Sequence, residues 1–319
     1  MTEEDRLICN ASAQKLFPEE NVKPAFTQGY CSYTVLAGDR QIIQFRPKKY
    51  QLTLSVTDAA KKVFHSYAPR TTFLGEIQPS GLLMYAMEKL QGVSYKDYRV
   101  TEAASIDGQA WKKHVRLAED VALFLARSWY HRTDLPPKGK IGSSIVPRLY
   151  QLSQKLPYRF RPRARSALKH IHKLDTLPWI LNHGDIVPSN VMVDPMTGRL
   201  TGLVDWAEAE VLPFGTCLYG LEELLGTMTQ TGWTYHHRSE CLRTAFWRKL
   251  RAEIPELDGN AKVLEAVETA RDVGVLLWHG FAWDDGAIDR VVGEGRDDEE
   301  IRYLDAFLNH RRTSSKSKL

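Results

Sequence analysis

No apolar run in the chain approaches the roughly 20 residues that a membrane-spanning helix needs; the longest, at 273–283, is interrupted by His279 and Gly280. The N-terminal segment MTEEDRLICN starts acidic and lacks the basic-then-apolar order of a secretory signal. Cysteine is scarce. Cys9, Cys31, Cys217 and Cys241 are the four in 319 residues, and none belongs to a CxxC pair. That spacing argues against a zinc site and a dense disulfide framework, and fits free thiols in a reducing compartment. A strong excess of one charge is also missing: 43 Lys and Arg stand against 39 Asp and Glu, a formal net charge of +4. So small a surplus gives no sign of a nucleic-acid partner, and no nucleic-acid motif accompanies it. Internal repeats are absent, and low complexity is confined to the last few residues.

What is present is an ordinary globular composition, 43% hydrophobic and 26% charged, in a chain long enough for two lobes. Residues 1–20 read as a short helix with a turn at Pro18. Residues 26–46 read as two strands around a turn at Gly38 and Asp39. The apolar interval of Val56, Ala59, Ala60, Val63 and Phe64 predicts a helix over 54–66. Two further strands are expected at 72–75 and 82–88. From about residue 109 the pattern becomes helical, with Trp111, Val115, Ala118, Val121, Ala122, Leu125 and Trp129 on one face. Further helices are predicted at 146–156, 161–173, 217–229, 238–253, 261–282 and 297–309, around a non-helical patch at 179–206. The expectation is an α+β chain: a small β-rich lobe at 1–91, a larger helical lobe at 92–310 carrying one β-hairpin, and a flexible basic tail at 311–319.

The patch at 179–206 carries the chemistry. It reads HGDIVPSN, then VMV as a strand, a turn at DPMTG, and LTGLV as the return strand leading into Asp205 and Trp206. The hairpin brings Asp205 back toward the loop holding Asp185 and Asn190. Two acids and a side-chain amide in one place suit phosphoryl transfer. Oxygen ligands must hold the Mg²⁺ that bridges the phosphates. A further carboxylate must orient the attacking hydroxyl and take its proton. Asp185 is the expected base, and Asn190 and Asp205 the expected metal ligands. His183 is expected to brace the loop, and Gly184 to permit its tight backbone.

HGDIVPSN followed by LTGLVDW resembles the aminoglycoside phosphotransferase and choline kinase family, which shares its fold with protein kinases. The downstream stretches EAEVLPFG and LEELLG are similar to fungal members. The resemblance implies a two-lobed protein-kinase-like fold, with ATP and Mg²⁺ as cofactors and a small-molecule hydroxyl as acceptor. It places the phosphate-covering loop at Gly29, Tyr30, Cys31, Ser32 and Tyr33, with Ser189 also on the nucleotide side. A cation is expected on the next strand, at the position of Gln44 or Arg46. Only Arg46 can neutralise phosphate. Asp58 is the nearest acid to steady it, in place of the family's glutamate. The linker between lobes falls at residues 87–92, where backbone groups of Glu88 and Leu90 would meet adenine. HRD, DFG and APE do not occur in the order of a protein kinase acting on Ser or Thr. A binding pseudokinase is the alternative that the missing lysine leaves open.

Acceptor candidates are Glu208, Glu210, Trp278, His279, Trp283, Asp284 and Asp285, whose acidic and aromatic character suits a cation. The basic run at 159–172 reads either as a solvated face or as an attractor for an anionic acceptor such as a CoA ester. The final Ser317, Lys318 and Leu319 match a receptor-read peroxisomal address. They imply an import receptor as partner, peroxisomal residence, and a hydroxylated acyl or secondary-metabolite acceptor.

Overall fold

The computed structural model describes residues 1–102, 108–131, 135 and 140–309. The expected peroxisomal address at Ser317, Lys318 and Leu319 lies outside the described residues. Helix α1 (Glu3–Leu16) opens with a capping box, in which Thr2 Oγ1 accepts the Asp5 N–H at 3.1 Å and the Asp5 carboxylate accepts the Thr2 N–H at 2.9 Å. Strands β1 (Val22–Pro24), β2 (Tyr33–Ala37) and β3 (Gln41–Arg46) follow. Helix α2 (Leu54–Phe64) then leads to β4 (Thr71–Ile77) and β5 (Leu82–Glu88). These strands form one antiparallel sheet in the order β1-β2-β3-β5-β4. Strand alternation decides its two faces. Val35, Ala37, Ile43, Phe45, Leu82 and Met84 pack with Cys9 and Ala13 of α1. The alternate residues of β3, Gln44 and Arg46, are left for the opposite face.

The first long strand begins at Tyr33, not at the expected residue 26. The Gln28 side chain substitutes for a strand partner there: its amide donates to the carbonyls of Ala25 and Thr34 at 2.8 and 2.9 Å, and its oxygen accepts the Thr34 N–H at 2.8 Å. With those groups satisfied, residues 29–32 are free to form a loop.

The rest of the described chain is mainly helical. It runs through β6 (Val93–Ser94), α3 (Tyr95–Glu102), α4 (Gly108–Tyr130), α5 (Ile145–Lys155), α6 (Arg161–Lys169), β7 (Trp179–Asn182), β8 (Val191–Val193), β9 (Leu200–Leu203) and β10 (Glu210–Pro213). Then come α7 (Tyr219–Leu225), β11 (Gly226–Thr229), β12 (Gly232–Tyr235), α8 (Ser239–Glu253), α9 (Ala261–His279), β13 (Phe281–Asp284), β14 (Ala287–Val291) and α10 (Asp298–Asn309). Three expected helices are shorter than their apolar spacing predicts, and the one expected at 161–173 ends at Lys169. The helix expected at 217–229 stops at Leu225, because the Gly- and Thr-rich stretch beyond it pairs as the β11–β12 hairpin. The helix expected at 261–282 stops at His279, Gly280 caps it, and β13 pairs with β14.

Aromatic rings join the two halves. Phe64 of α2 stacks on Phe124 of α4 with ring centroids 4.4 Å apart and lies 5.0 Å from Trp206. Such pairs contribute about 0.5–1.5 kcal/mol each beyond their buried area. They fix the residue that directly follows Asp205. Further into the larger half, α7 is buried along its whole length. Its Glu222 accepts two hydrogen bonds from Arg243 of α8 at 2.5 and 2.9 Å, one from Arg271 of α9 at 2.8 Å, and one from Tyr235 of β12 at 2.9 Å.

The basic run at 159–172 sits away from the central cleft. Arg159 pairs with Glu294 and with Asp305, and Arg163 and His170 line a small surface cleft with Glu265 and Asp272. No helix among the described residues is long and apolar enough to cross a membrane.

Candidate active site

Strand β7 delivers Asn182, and the chain then turns through His183, Gly184 and Asp185. Gly184 has φ 78°, and a Cβ placed there would stand 2.3 Å from the carbonyl oxygen of Glu208. Only glycine tolerates both conditions. His183 is buried. Its Nδ1 accepts the Asp185 N–H at 3.2 Å and its Nε2 meets the Val204 carbonyl at 3.0 Å, so Nε2 carries the proton. Burial holds its pKa down to about 4, which keeps the ring neutral. The expected brace is thus in place: one imidazole ties the backbone of Asp185 to the residue before Asp205.

Asn190 completes the loop. Its side-chain amide donates to a carboxylate oxygen of Asp185 at 2.8 Å and to the Asp185 carbonyl at 3.1 Å, while its own carbonyl accepts the Val204 N–H at 2.9 Å. Asp205 follows at the end of the β8–β9 hairpin with φ 61° and ψ 70°. A non-glycine residue in that left-handed region costs of order 1–3 kcal/mol and persists where its surroundings fix it. Here the Trp206 ring lies 4.5 Å from the His183 ring, and the Trp206 indole N–H bonds the Leu203 carbonyl at 2.9 Å. Burial pushes the Asp185 pKa up to about 7, with the neighbouring Asp205 charge adding to the effect. For His183→Leu the expected result is a fall in kcat of about tenfold to a hundredfold, because the carboxylate loses its aim. The KM for nucleotide should stay within about twofold; steady-state kinetics check both.

From the other lobe comes Arg46. Its guanidinium is buried, 3% exposed, and reaches Asp205 Oδ1 at 3.2 Å. Gln44 accepts its Nε–H at 2.7 Å and the Tyr50 carbonyl accepts from Nη1 at 3.3 Å. Of the two residues weighed from sequence, Arg46 faces the cleft and Gln44 braces it. The expected partner Asp58 is corrected: it sits exposed on α2, and the carboxylate facing Arg46 belongs to Asp205.

Arg46, Gly184, Asp185, Asp205 and Glu208 line one cavity of about 900 Å³. Residues 59–215 match the model of the phosphotransferase enzyme family, a span that contains this whole loop and hairpin. The chain is similar to that family over just under half of its length.

Solved structures with the same fold include the GDP complex of aminoglycoside 2'-phosphotransferase-IIIa, 14% identical over 94% of this chain and 97% of that one, with a TM-score of 0.57. A second is an APH(2")-IIia complex with GDP and kanamycin, 16% identical over 86% and 88%, TM-score 0.55. A third is aminoglycoside phosphotransferase APH(3'')-Id from Streptomyces rimosus, 12% identical over 86% and 98%, TM-score 0.50. No curated protein sequence matches the chain. The fold is therefore the protein-kinase-like one, with a β-rich N-terminal sheet and a helical C-terminal part.

Other residues expected at the nucleotide side stand apart from the cavity lining. Glu88 pairs with Lys61 at 2.6 Å, and its N–H bonds the Arg70 carbonyl at 3.0 Å. Leu90 packs by Gly202, and Ser189 is exposed. On the acceptor side, Glu208, Glu210, Trp278, His279, Trp283 and Asp285 all line the cavity. Glu210 and Glu208 also have structural tasks. Glu210 accepts the N–H groups of Ile141 and Gly142, both at 3.0 Å, and Glu208 pairs with Lys140 at 2.6 Å. Asp284 is not in the lining; it pairs with Arg290 at 2.8 Å inside the β13–β14 hairpin.

Sequence reasoning missed a further wall of the cavity. Glu223, Glu299, Glu300 and Tyr303 contribute there beside Tyr219 and Trp278, whose rings stack at 5.1 Å. Glu223 is 3% exposed, and burial pushes its pKa up to about 8. His279 is buried, and its Nε2 has no hydrogen-bond partner. The available signal was an acid pair, Glu222 and Glu223, set inside an apolar helical run.

Proposed function

We propose that this protein is an ATP-dependent kinase that transfers the γ-phosphate to a hydroxyl of a small, positively charged molecule. The single observation that carries the reading is the meeting of Arg46, Asp185 and Asp205 at one cavity that acidic and aromatic side chains also line. Asp185 is the base for the acceptor hydroxyl. Asn190, whose amide nitrogen is turned toward Asp185, and Asp205, half-exposed at the cleft, offer hard oxygen donors. That small set fits Mg²⁺, which keeps waters and takes phosphate oxygens as its remaining ligands. Bound there, Mg²⁺ would supply charge neutralisation across the phosphates. Arg46 would add fixed positive charge on the opposite side, with Gln44 holding its guanidinium in plane.

The acceptor half of the cavity supports a cation over an anion. Glu299, Glu300 and Asp285 line it beside Glu223, which burial keeps largely protonated near neutral pH, whereas the arginines of the 159–172 run do not. An acyl-CoA or a free carboxylate would bring negative charge against these acids, at a cost of several kcal/mol for close like-charge contacts. The structural relative solved with kanamycin is consistent with such an acceptor.

One observation favours a second reading, a binding pseudokinase. Arg46 is already paired with Asp205, so the cation that should meet phosphate is held by the carboxylate that should meet the metal. Two measurements separate the readings. A thermal-shift titration with ATP or GTP, with and without Mg²⁺, should stabilise either form, by about 2.7 kcal/mol at a hundredfold excess over Kd. Turnover across a panel of amino alcohols, neutral sugars and hydroxy acids should then show phosphorylation, greatest for the amino alcohols. Binding without any turnover would favour the pseudokinase, and preference for hydroxy acids would overturn the cationic acceptor.

A further inference from the structure

The tip of the β13–β14 hairpin reaches across the cavity mouth to the other lobe. Asp285 stands at that tip with φ 50°. Its carboxylate accepts from the Tyr30 hydroxyl at 3.1 Å, from the Tyr50 hydroxyl, and from Lys49 Nζ at 3.0 and 3.2 Å. Two residues earlier, Trp283 meets the Tyr30 ring edge-on with centroids 4.8 Å apart. Tyr30 belongs to the loop before β2, the stretch that sequence places over the phosphates. Lys49 and Tyr50 belong to the turn just after β3, and the Tyr50 carbonyl is the one that receives Arg46. One carboxylate of the acceptor-side hairpin therefore holds two segments of the nucleotide side.

Tyr30, Lys49 and Asp285 are solvent-exposed, Tyr30 at 73%, and Tyr50 is half-buried. Exposed ion pairs contribute about 0–1 kcal/mol each. A contact of that strength is persistent enough to order a loop and weak enough to release for ligand entry.

We propose that Asp285 is a positioning residue that fastens the loop at 29–32 and the turn at 48–50 over the cavity mouth, so that the two sides of the cleft close as one unit. Naming those sides rests on the kinase reading; the fastening itself does not. Cys31 supplies a reporter, because it lies within the fastened loop and lines the cavity. Among the other thiols, Cys9 and Cys217 are buried and Cys241 is exposed.

The experiment is alkylation by iodoacetamide in a Cys241→Ser background, followed by intact and peptide mass spectrometry. Asp285→Ala should speed Cys31 modification about fivefold. Tyr30→Phe, which removes one hydrogen bond, should give a smaller increase. Asp284→Ala, whose carboxylate serves Arg290 inside the hairpin, should leave the rate unchanged. AMP-PNP with Mg²⁺ should slow the reaction in the parent and slow it less in Asp285→Ala. Equal Cys31 rates in Asp285→Ala and its parent would overturn the proposal. If Asp285→Ala also exposes Cys9, which is buried away from the cavity, the variant is unfolded, and Lys49→Met with Tyr30→Phe carries the test by the same criterion. A parent protein indifferent to AMP-PNP, with Asp285→Ala still accelerated, would count against the kinase reading while supporting the clasp.

Discussion

Asp185→Asn should lower kcat by about a hundredfold to ten-thousandfold, the usual worth of a positioned general base. Nucleotide affinity should change by no more than about threefold. The substitution keeps size and shape and removes the one atom set that can accept the acceptor's proton. Asparagine can still receive the Asn190 amide on its own amide oxygen, which preserves the loop contact seen at 2.8 Å. The expected split between lost turnover and retained binding is what identifies a role in the transition state. Calorimetric titration with AMP-PNP and Mg²⁺ measures the second quantity independently. Full turnover in this variant would remove the assigned role, and loss of both quantities together would mark Asp185 as a nucleotide ligand.

The largest stability effect is expected at Glu222→Ala. The variant leaves Arg243 and Arg271 without their shared carboxylate, and Arg243 is 4% exposed. Breaking a buried pair from one side costs about 3–5 kcal/mol, most of it the uncompensated charge left behind. For a chain of this size that is a fall in Tm of roughly 4–8 °C. Replacing Glu222 and Arg243 together by Leu and Met should recover part of the loss, since the desolvation of both groups disappears at once.

The same network sets an acid limit. The arginines hold the Glu222 pKa down to about 2 against the burial that would raise it. A carboxylate depressed in the folded state contributes fully above its unfolded pKa of about 4.3, and that contribution fades as pH falls toward the folded value. Stability should therefore drop by an amount on the order of 3 kcal/mol between about pH 4.5 and pH 2 on this group's account. Glu222→Gln should flatten that limb of the curve. Denaturant melts across the acid range check it, and an unchanged acid limb in Glu222→Gln would place the acid sensitivity elsewhere.

The loop and hairpin were legible because their geometry is local. A short turn and two paired strands fix how far Asp205 lies from Asn190, so residue order alone brings the two together. Arg46 was legible for a similar reason: alternation on β3 puts it opposite the face taken by Ile43 and Phe45. Its partner was not. Asp58 was the nearest acid by position, but the carboxylate on Arg46 comes from Asp205, 159 residues away. Glu222 illustrates the same limit. Two neighbouring glutamates in an apolar run carry no sign of their partners, and only the arrival of Arg243 and Arg271 from separate helices makes a buried site reasonable. The β13–β14 hairpin was hidden because the apolar start of β13 continues the spacing of the helix before it, and the β11–β12 hairpin because its short Gly- and Thr-rich strands follow directly on α7. Gly226 and Gly280 mark where each helix gives way.

The central claim is that Asn190 and Asp205 hold the metal of a nucleotide whose γ-phosphate faces Asp185. A crystal grown with AMP-PNP and Mn²⁺ in place of Mg²⁺, and measured for anomalous scattering, tests it most directly. The account predicts a metal peak in direct ligating distance of the Asn190 and Asp205 side-chain oxygens (about 2.1 Å for Mg²⁺), with Arg46 released onto phosphate. A nucleotide and metal bound elsewhere on the molecule, with Arg46 still on Asp205, would contradict it.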